Sequence, residues 1–424
     1  MYQVESSGYL LKRRRMARGG VRSRARVSRT VVLLGLTSLF TDLSSEMVAA
    51  ILPLYFVYSL GLTPLQFGIM DGLYQGASSL VRVASGFAGD RWRRHKEVAA
   101  LGYGLSAVTK LVFPLVGGAW SALAAVVLVD RTGKGIRTAP RDALISLSSH
   151  RERLGEAFGV HRALDTAGAM LGPLVAFALL ALAPGAFDSV FVVSFCFALI
   201  GLSILVLFVR NPPRAAVRQA AGERPSLRAA VGLLRHPRFR TLVIVGGALG
   251  LATVSDGFVY LQLQRQIGFD TGLLPLLYVA TALVYMCLAV PVGRMADRFG
   301  RGRIFLGGYG LLLLVYASLL MPAQGIPQLA LSLVMFGAYY AATDGVLMAL
   351  ASAVLPGQLR GSGLAILVTA TSLGRLFASV LFGALWIAVG VEGAVIAFAG
   401  ALAVAIAGAA AALGRRGEGH ALAS

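Results

Sequence analysis

Charged residues are scarce in this sequence. Only 14% of its 424 residues are charged, 57% are hydrophobic, and the mean hydropathy is +0.75. Soluble domains carry roughly a quarter charged residues, and a chain this apolar would expose large hydrophobic patches to water. The composition therefore excludes an ordinary soluble protein and favours a chain whose side chains face lipid.

Cysteine and histidine are also few, and neither occurs in a pattern that binds metal. The two cysteines, Cys196 and Cys287, lie inside apolar runs, and of five histidines only His161 falls in a predicted membrane span. The motifs HExxH, GxSxG and GxxxxGK[ST], which are typical of zinc enzymes, serine hydrolases and nucleotide-driven pumps, do not occur. We therefore expect a protein that is not an enzyme and that holds no metal and no cofactor.

Basic residues outnumber acidic ones by 39 to 19, which gives a net charge of +20. A nucleic-acid-binding protein gathers such charge on one folded face. Here the basic residues lie in short segments between apolar runs, so we expect no nucleic-acid partner.

Apolar runs long enough to cross a bilayer recur along the whole chain. A helical span needs about 20 apolar residues, because the hydrocarbon core is about 30 Å thick. The runs and their charged boundaries predict an all-α membrane protein with twelve transmembrane helices. The predicted spans are 31–58, 65–89, 98–117, 120–146, 157–183, 188–209, 240–265, 272–296, 303–321, 328–355, 361–389 and 391–413.

Lysine and arginine alternate between the connections. They occur in the even-numbered connections and in both tails, whereas the six odd-numbered connections contain none. Basic connections remain in the cytoplasm, so the pattern predicts a multi-pass protein of the cytoplasmic (inner) membrane with both termini cytoplasmic. The basic tail before the first span does not look like a cleavable signal peptide, since Asp42 and Glu46 interrupt the apolar run that follows it. Met16 is a second candidate start.

The two halves of the chain resemble each other. GFAGDRWRRHK at 86–96 follows the second span, and VGRMADRFGRGR at 292–303 follows the eighth. Matching six-span halves related by an axis along the membrane normal define a transporter architecture with its site at the midplane. We therefore expect a tail at 1–30, a bundle at 31–210, a cytoplasmic loop at 211–239, a second bundle at 240–413 and a tail at 414–424.

These paired segments resemble motif A of the major facilitator superfamily, and the second is the cleaner copy because Arg93 replaces a usual glycine in the first. The resemblance implies the twelve-helix major facilitator fold, alternating access and a protein that works as a monomer. A carboxylate at the cytoplasmic mouth can also pair with arginines and stabilise one conformation. The alternative is that the loop charges only set the orientation of the chain in the membrane. The predicted cytoplasmic gate consists of Gly86, Asp90, Arg91, Arg94, Gly293, Asp297, Arg298 and Arg301.

Three further segments refine the resemblance. The run RTGKG at 131–135 is similar to motif B, and GAMLGP at 168–173 resembles the antiporter motif C, although Ala176 and Phe177 replace its expected glycine pair. DRTGKGIRTAPRDALI at 130–145 resembles a prokaryotic drug-efflux-like subgroup. The resemblance to this subgroup implies efflux.

Ionisable residues at bilayer depth are costly and are therefore functional candidates. In the first span, Asp42 and Glu46 are four residues apart and lie on one helical face. Repulsion between two carboxylates favours proton uptake by one of them, which suits a proton carrier. Permanent neutralisation by arginines is the alternative.

The fourth and fifth spans carry further charged stripes. Lys134 and Arg137 continue a stripe that begins at Asp130 and must face the cavity or other helices. In the fifth span, His161 and Asp165 share a face and can either relay protons or serve to neutralise the fourth span.

From these patterns we predict two sets of site residues. The proton-coupling candidates are Asp42, Glu46, Arg131, His161, Asp165 and Asp256. The substrate-cavity candidates are Asp71, Lys110, Lys134, Arg137, Tyr260, Tyr339, Tyr340, Asp344 and Arg375.

The sequence thus predicts a secondary active transporter that moves a small organic solute through the lipid bilayer, most simply by export in exchange for protons. Proton-symport uptake or facilitated diffusion of a metabolite needs the same residue types and remains the alternative. Cations in the first half hint at anionic or amphiphilic substrates, unless salt bridges neutralise them.

Overall fold

The computed structural model describes residues 28–92, 94–149, 154–211, 232–356 and 359–414. Within these ranges the side chains at 80, 82–92, 154–155, 360–361 and 414 are not described. The two predicted tails and most of the predicted central loop therefore lie outside the described residues. Every regular element in the described part of the chain is helical.

In the described part of the chain, twelve helical spans follow one another, as the hydropathy pattern predicts. The first and sixth spans end in a π turn, and the last two are joined without a loop at a kink at Gly390. In chain order, the helices are Arg29–Leu54, Pro64–Trp92, His95–Val116, Trp120–Leu147, Leu154–Leu182, Phe187–Ser203, Pro237–Leu251 with Asp256–Ile267, Leu274–Phe299, Arg301–Leu320, Ile326–Val354 and Arg360–Gly414.

Nine segments are apolar and long enough to cross a membrane by length and composition, and the last of them, 362–413, contains both final spans. The fourth helix is not among the nine, although it has 28 residues. It contains several charged residues, and such residues at bilayer depth must face protein or a cavity.

Within the first half, the first and fifth spans pack backbone against backbone. A Cβ atom added at Gly168 would lie 2.1 Å from the Leu39 carbonyl oxygen, and one added at Gly172 would lie 2.7 Å from the Leu43 carbonyl oxygen. Small residues at this spacing permit close helix approach in membranes. The partial motif C is thus the contact surface between these two spans.

Between the halves, the second and eleventh spans make an equally close contact. Added Cβ atoms would lie 2.4 Å from the Ser379 carbonyl oxygen at Gly68 and 2.3 Å from the Pro64 carbonyl oxygen at Gly383. The contact lies near the end of the molecule that carries the odd-numbered connections, each of which turns at a glycine with positive φ. We call this the tight-loop end, defined by Gly61, Gly117, Gly185, Gly268, Gly325 and Gly390.

Aromatic packing reinforces the contact between the halves at the same end. The Phe258 ring of the seventh span lies 4.7 Å from the Phe67 ring of the second and 4.8 Å from the Phe382 ring of the eleventh, measured between centroids. We call the opposite end, which carries the even-numbered connections, the basic end.

The seventh span is broken, whereas the sequence predicts a continuous helix over 240–265. Helix Pro237–Leu251 stops, and a new helix starts at Asp256. Within a membrane, backbone groups freed by such a break need protein partners. The buried Tyr316 hydroxyl is the partner of two such backbone groups. It accepts from the Val254 amide at 2.7 Å and donates to the Ala252 carbonyl at 3.0 Å.

The first and fifth spans offer a direct test of the packing. We expect Gly168→Val to lower the thermal unfolding temperature of the purified protein, because overpacking of a well-packed interface costs about 1–3 kcal/mol. Gly159→Val in the same helix is the matched control, since nothing lies within 4 Å of an added Cβ there. Equal unfolding temperatures for the two variants would contradict this packing.

Candidate functional site

Three adjoining cavities lie between the two halves. The first has a volume of about 380 Å³ and is lined by both halves, with Glu46, Asp71 and Lys134 from one and Asp256 from the other. The second, of about 300 Å³, shares Glu46, Asp256 and Tyr278 with the first. The third, of about 380 Å³, includes Asp344 and Arg375 and shares Asp344 with the second.

These cavities lie on the basic-end side of the contact between the second and eleventh spans. Gly76 still packs against Leu376, but farther along the same spans Ser79 and Val368 both line the first cavity. The two helices therefore diverge from the tight-loop end, and the space between them is the candidate site.

Asp130 is the centre of a buried ion cluster in the first half. It is 2% exposed and accepts from Lys110 at 2.6 Å, Ser106 at 2.6 Å and Thr109 at 3.1 Å. Both Nε and Nη2 of Arg131 also donate to it. A charge pair this buried is stable only with such extra hydrogen bonds, so the cluster holds the third and fourth spans together.

Arg131 also connects this cluster to the cavity. Its guanidinium lies 3.6 Å from the centroid of the Tyr74 ring, and both residues line the first cavity. Its charge is partly offset by Asp130, whose carboxylate it shares with Lys110.

The other fourth-span arginines are paired as well. Arg137 lies 3.7 Å from Asp42, and Arg141 lies 3.0 Å from Asp142 and 3.6 Å from Asp165. Of the two alternatives, the geometry favours neutralisation for Asp165 and Asp42.

His161 does not bond to Asp165, the partner that its spacing suggests. It instead contacts the Ser38 hydroxyl at 2.9 Å, while Asp165 is 3.2 Å from Arg162. The two residues share a helix face, as predicted, but bond in different directions.

Three carboxylates in the first cavity have no ion-pair partner within 4 Å among the described residues. Asp71 accepts from the Ser379 hydroxyl across the half interface at 2.6 Å, Asp256 accepts from the Tyr340 hydroxyl at 2.5 Å, and Glu46 borders both the first and second cavities. The predicted first-span pair is therefore divided. Asp42 faces the fourth and fifth spans, whereas Glu46 faces the cavity.

Several predicted cavity residues lie elsewhere. Lys110, Arg137 and Tyr339 are at most 2% exposed and line none of the three cavities. The first two are paired with carboxylates, and Tyr339 packs between Phe336, Tyr309 and Tyr340. The structure therefore places these three predicted residues against neighbouring helices and outside the three cavities.

The remaining second-half candidates do border the cavities. Tyr260 and Tyr340 line the second cavity, and the Tyr260 hydroxyl donates to Thr281 at 2.7 Å. Asp344 and Arg375 lie 3.8 Å apart.

The predicted cytoplasmic gate is described only in part. Of the first copy, the side chains of Gly86, Asp90 and Arg91 lie outside the described residues, and Arg94 is exposed. In the second copy, Arg301 bonds Asp297 at 2.7 Å across the connection at Gly300 and donates to the Ala349 carbonyl of the tenth span at 3.4 Å. Gly293 has open space around it, and Arg298 lies 5.4 Å from the Phe299 ring.

Sequence reasoning missed Tyr278 and Ser379, which are uncharged and belong to none of the motifs. It also missed the break before Asp256. A signal for the break exists, because serine followed by aspartate is typical of a helix N-terminus, and Ser255-Asp256 has this form.

Comparisons with known proteins agree with this architecture. The family model described as Major Facilitator Superfamily matches residues 34–323 and 257–422. An uncharacterised MFS-type transporter of Methanocaldococcus jannaschii is 31% identical over 373 residues, which cover 85% of this chain and 89% of that protein. A protein of Deinococcus radiodurans with the provisional name of sugar efflux transporter is 26% identical, over 83% of this chain and 90% of that one.

Solved structures share the fold. The nucleoside transporter NupG superposes with a TM-score of 0.72 at 14% identity and covers 91% of this chain and 99% of its own.

The Asp130 cluster gives a prediction of its own. We expect Asp130→Asn to destabilise the protein by about 3–5 kcal/mol, because it leaves buried Lys110 and Arg131 without a counter-charge. The measurement is thermal unfolding of purified protein, with Asp142→Asn as the control, because the Asp142 side chain is 44% exposed. An Asp130→Asn/Lys110→Met double variant should recover part of the loss. If Asp130→Asn is no less stable than Asp142→Asn, the cluster does not hold the spans together.

Proposed function

The chain belongs to the Major Facilitator Superfamily, and from this premise we propose that it exports a small organic solute across the cytoplasmic membrane in exchange for protons. That it is a multi-pass secondary transporter rather than an enzyme follows from the family. Export, proton coupling and the drug-efflux-like subgroup are our proposal.

One observation carries the proposal. Glu46, Asp71 and Asp256 line one cavity between the halves, and none of them has an ion-pair partner within 4 Å among the described residues. Carboxylates that are not consumed by salt bridges are free to exchange protons with the cavity. Because they come from both halves, their surroundings change when the halves move relative to each other.

The arrangement suits alternating access. The halves are in contact at the tight-loop end and diverge toward the basic end. With the basic connections in the cytoplasm, the cavity in this state faces the cytoplasm, where an exporter loads its solute. Both termini are then cytoplasmic, and each bundle, 31–210 and 240–413, moves as one body of a monomer.

The coupling step follows from the same geometry. Protons that enter from outside neutralise the cavity carboxylates and weaken their hold on the solute. After the halves reverse, the protons leave toward the cytoplasm. Arg131 borders this cavity and is held by Asp130. Asp42 and Asp165 are paired with Arg137 and Arg141, so we assign the exchange of protons to the unpaired cavity carboxylates.

The direction of transport has independent support. The Deinococcus radiodurans relative carries an efflux name, and the partial motif C packs against the helix that holds Glu46, since a Cβ added at Gly172 would lie 2.9 Å from the Glu46 Cβ. A shift between the first and fifth spans would therefore move a cavity carboxylate.

The test is proton flux in inside-out vesicles that hold an acidic interior. We expect at least one compound from a panel of amines, organic acids, sugars and nucleosides to collapse the gradient with the native protein. Glu46→Gln and Asp256→Asn should abolish this flux, because neither amide can carry a proton.

Asp270→Asn is the matched control, because Asp270 lies in a tight-loop connection and caps the Gly272 amide, which asparagine also does. It should retain native flux. Transport of a compound by the native protein without proton movement would exclude antiport and favour facilitated diffusion, and proton movement in the same direction as the compound would indicate symport.

A further inference from the structure

The second cavity differs in charge from the first cavity. It is lined by the three carboxylates Glu46, Asp256 and Asp344, and the described residues of its lining include no lysine, arginine or histidine. Asp344 is partly balanced by Arg375 at 3.8 Å, whereas Glu46 and Asp256 have no ion-pair partner within 4 Å among the described residues. An anion placed here would be repelled on several sides.

Aromatic rings form much of the remaining surface of this cavity. Four tyrosines line it, and the other lining residues are mainly small or apolar. The rings of Tyr260 and Tyr278 meet edge to face, with centroids 4.6 Å apart. Aromatic faces attract cations through their quadrupole, and the attraction grows as the cation loses water. We call this space the aromatic cavity, with ring-bearing residues Tyr260, Tyr278, Tyr285 and Tyr340.

The cations of the site lie outside the lining of the aromatic cavity. Arg131 and Lys134 line the first cavity and not the aromatic cavity. Arg375 borders the third cavity, where it lies 3.8 Å from Asp344. The fourth-span stripe, which suggests anionic substrates when read as sequence, therefore directs its positive charge to the first cavity and not to the aromatic cavity.

We infer that the transported solute is an organic cation, an amine or quaternary ammonium group on an apolar body. Its charged group lies between Glu46 and Asp256, against the rings of Tyr278 and Tyr340, and its apolar part lies along the methionine and alanine side chains of the fifth and eighth spans. A cavity of about 300 Å³ is within the range of small-ligand sites. The inference rests on the proposed function, because it takes this cavity as part of the transport path.

The test compares probes of matched shape and opposite charge. Purified protein in lipid nanodiscs is equilibrated with tetraphenylphosphonium or with tetraphenylborate, and the smaller cation benzyltrimethylammonium is tested in parallel. Empty nanodiscs correct for partition into lipid. We expect saturable binding of at least one cation and at least tenfold weaker binding of the anion.

Variants locate the binding site. Asp256→Asn should weaken cation binding at least tenfold, Tyr278→Leu should weaken it several-fold, and Tyr278→Phe, which keeps the ring, should bind as the native protein does. Thermal unfolding of each variant shows whether it is folded, and Asp270→Asn is the unaffected control. Equal or tighter binding of the anion, or cation binding unchanged in both folded Asp256→Asn and folded Tyr278→Leu, would overturn the inference.

The outcome separates the inference from the proposed function. If neither cation binds but another compound drives proton flux in vesicles, the solute is of a different class and proton-coupled export stands. If the cations bind at Asp256 but no compound moves protons, the assignment of the ligand class stands and antiport fails.

Discussion

The close contact of two helix backbones at one end of the molecule determines the form of the site. Glycines in the second and eleventh spans, Gly68 and Gly383 among them, leave no room for a side chain between the halves. Because the same helices separate toward the other end, a cavity opens along the line where the halves meet. Carboxylates from both halves reach it, as a site between two moving bodies requires.

Ion pairs inside the first half determine which charged side chains remain unpaired in that cavity. Most cations of the fourth span are held by acidic partners inside the first half, through Asp130, Asp42 and Asp142. These pairs stabilise the bundle rather than bind solute. The cavity is therefore left with carboxylates, tyrosine rings and Lys134. Its acidic character becomes clear only when the residues already held in ion pairs are left out of the charge count.

Hydropathy was sufficient to place the spans, because the bilayer requires about 20 apolar residues in each. The motif C glycines also marked the packing face of the fifth span. Sequence reasoning failed where a residue's partner is distant in sequence. Nothing near Lys110 reveals that Asp130 will bind it, and the break before Asp256 depends on Tyr316, about sixty residues away in sequence.

The central claim is that the two halves move relative to each other, so that their glycine contact at the tight-loop end opens as the basic end closes. Pairs of spin labels test this claim most directly. One pair, Gly118→Cys with Gln324→Cys, reports on the tight-loop end, and a second, Glu97→Cys with Gly302→Cys, reports on the basic end, in protein whose Cys196 and Cys287 are replaced by alanine. Distances are measured by pulsed electron resonance in lipid nanodiscs at acidic and alkaline pH. The account predicts two populations at each end, with the tight-loop distance increasing in the condition where the basic-end distance decreases. Distances that stay single, or that change in the same direction at both ends, would contradict it.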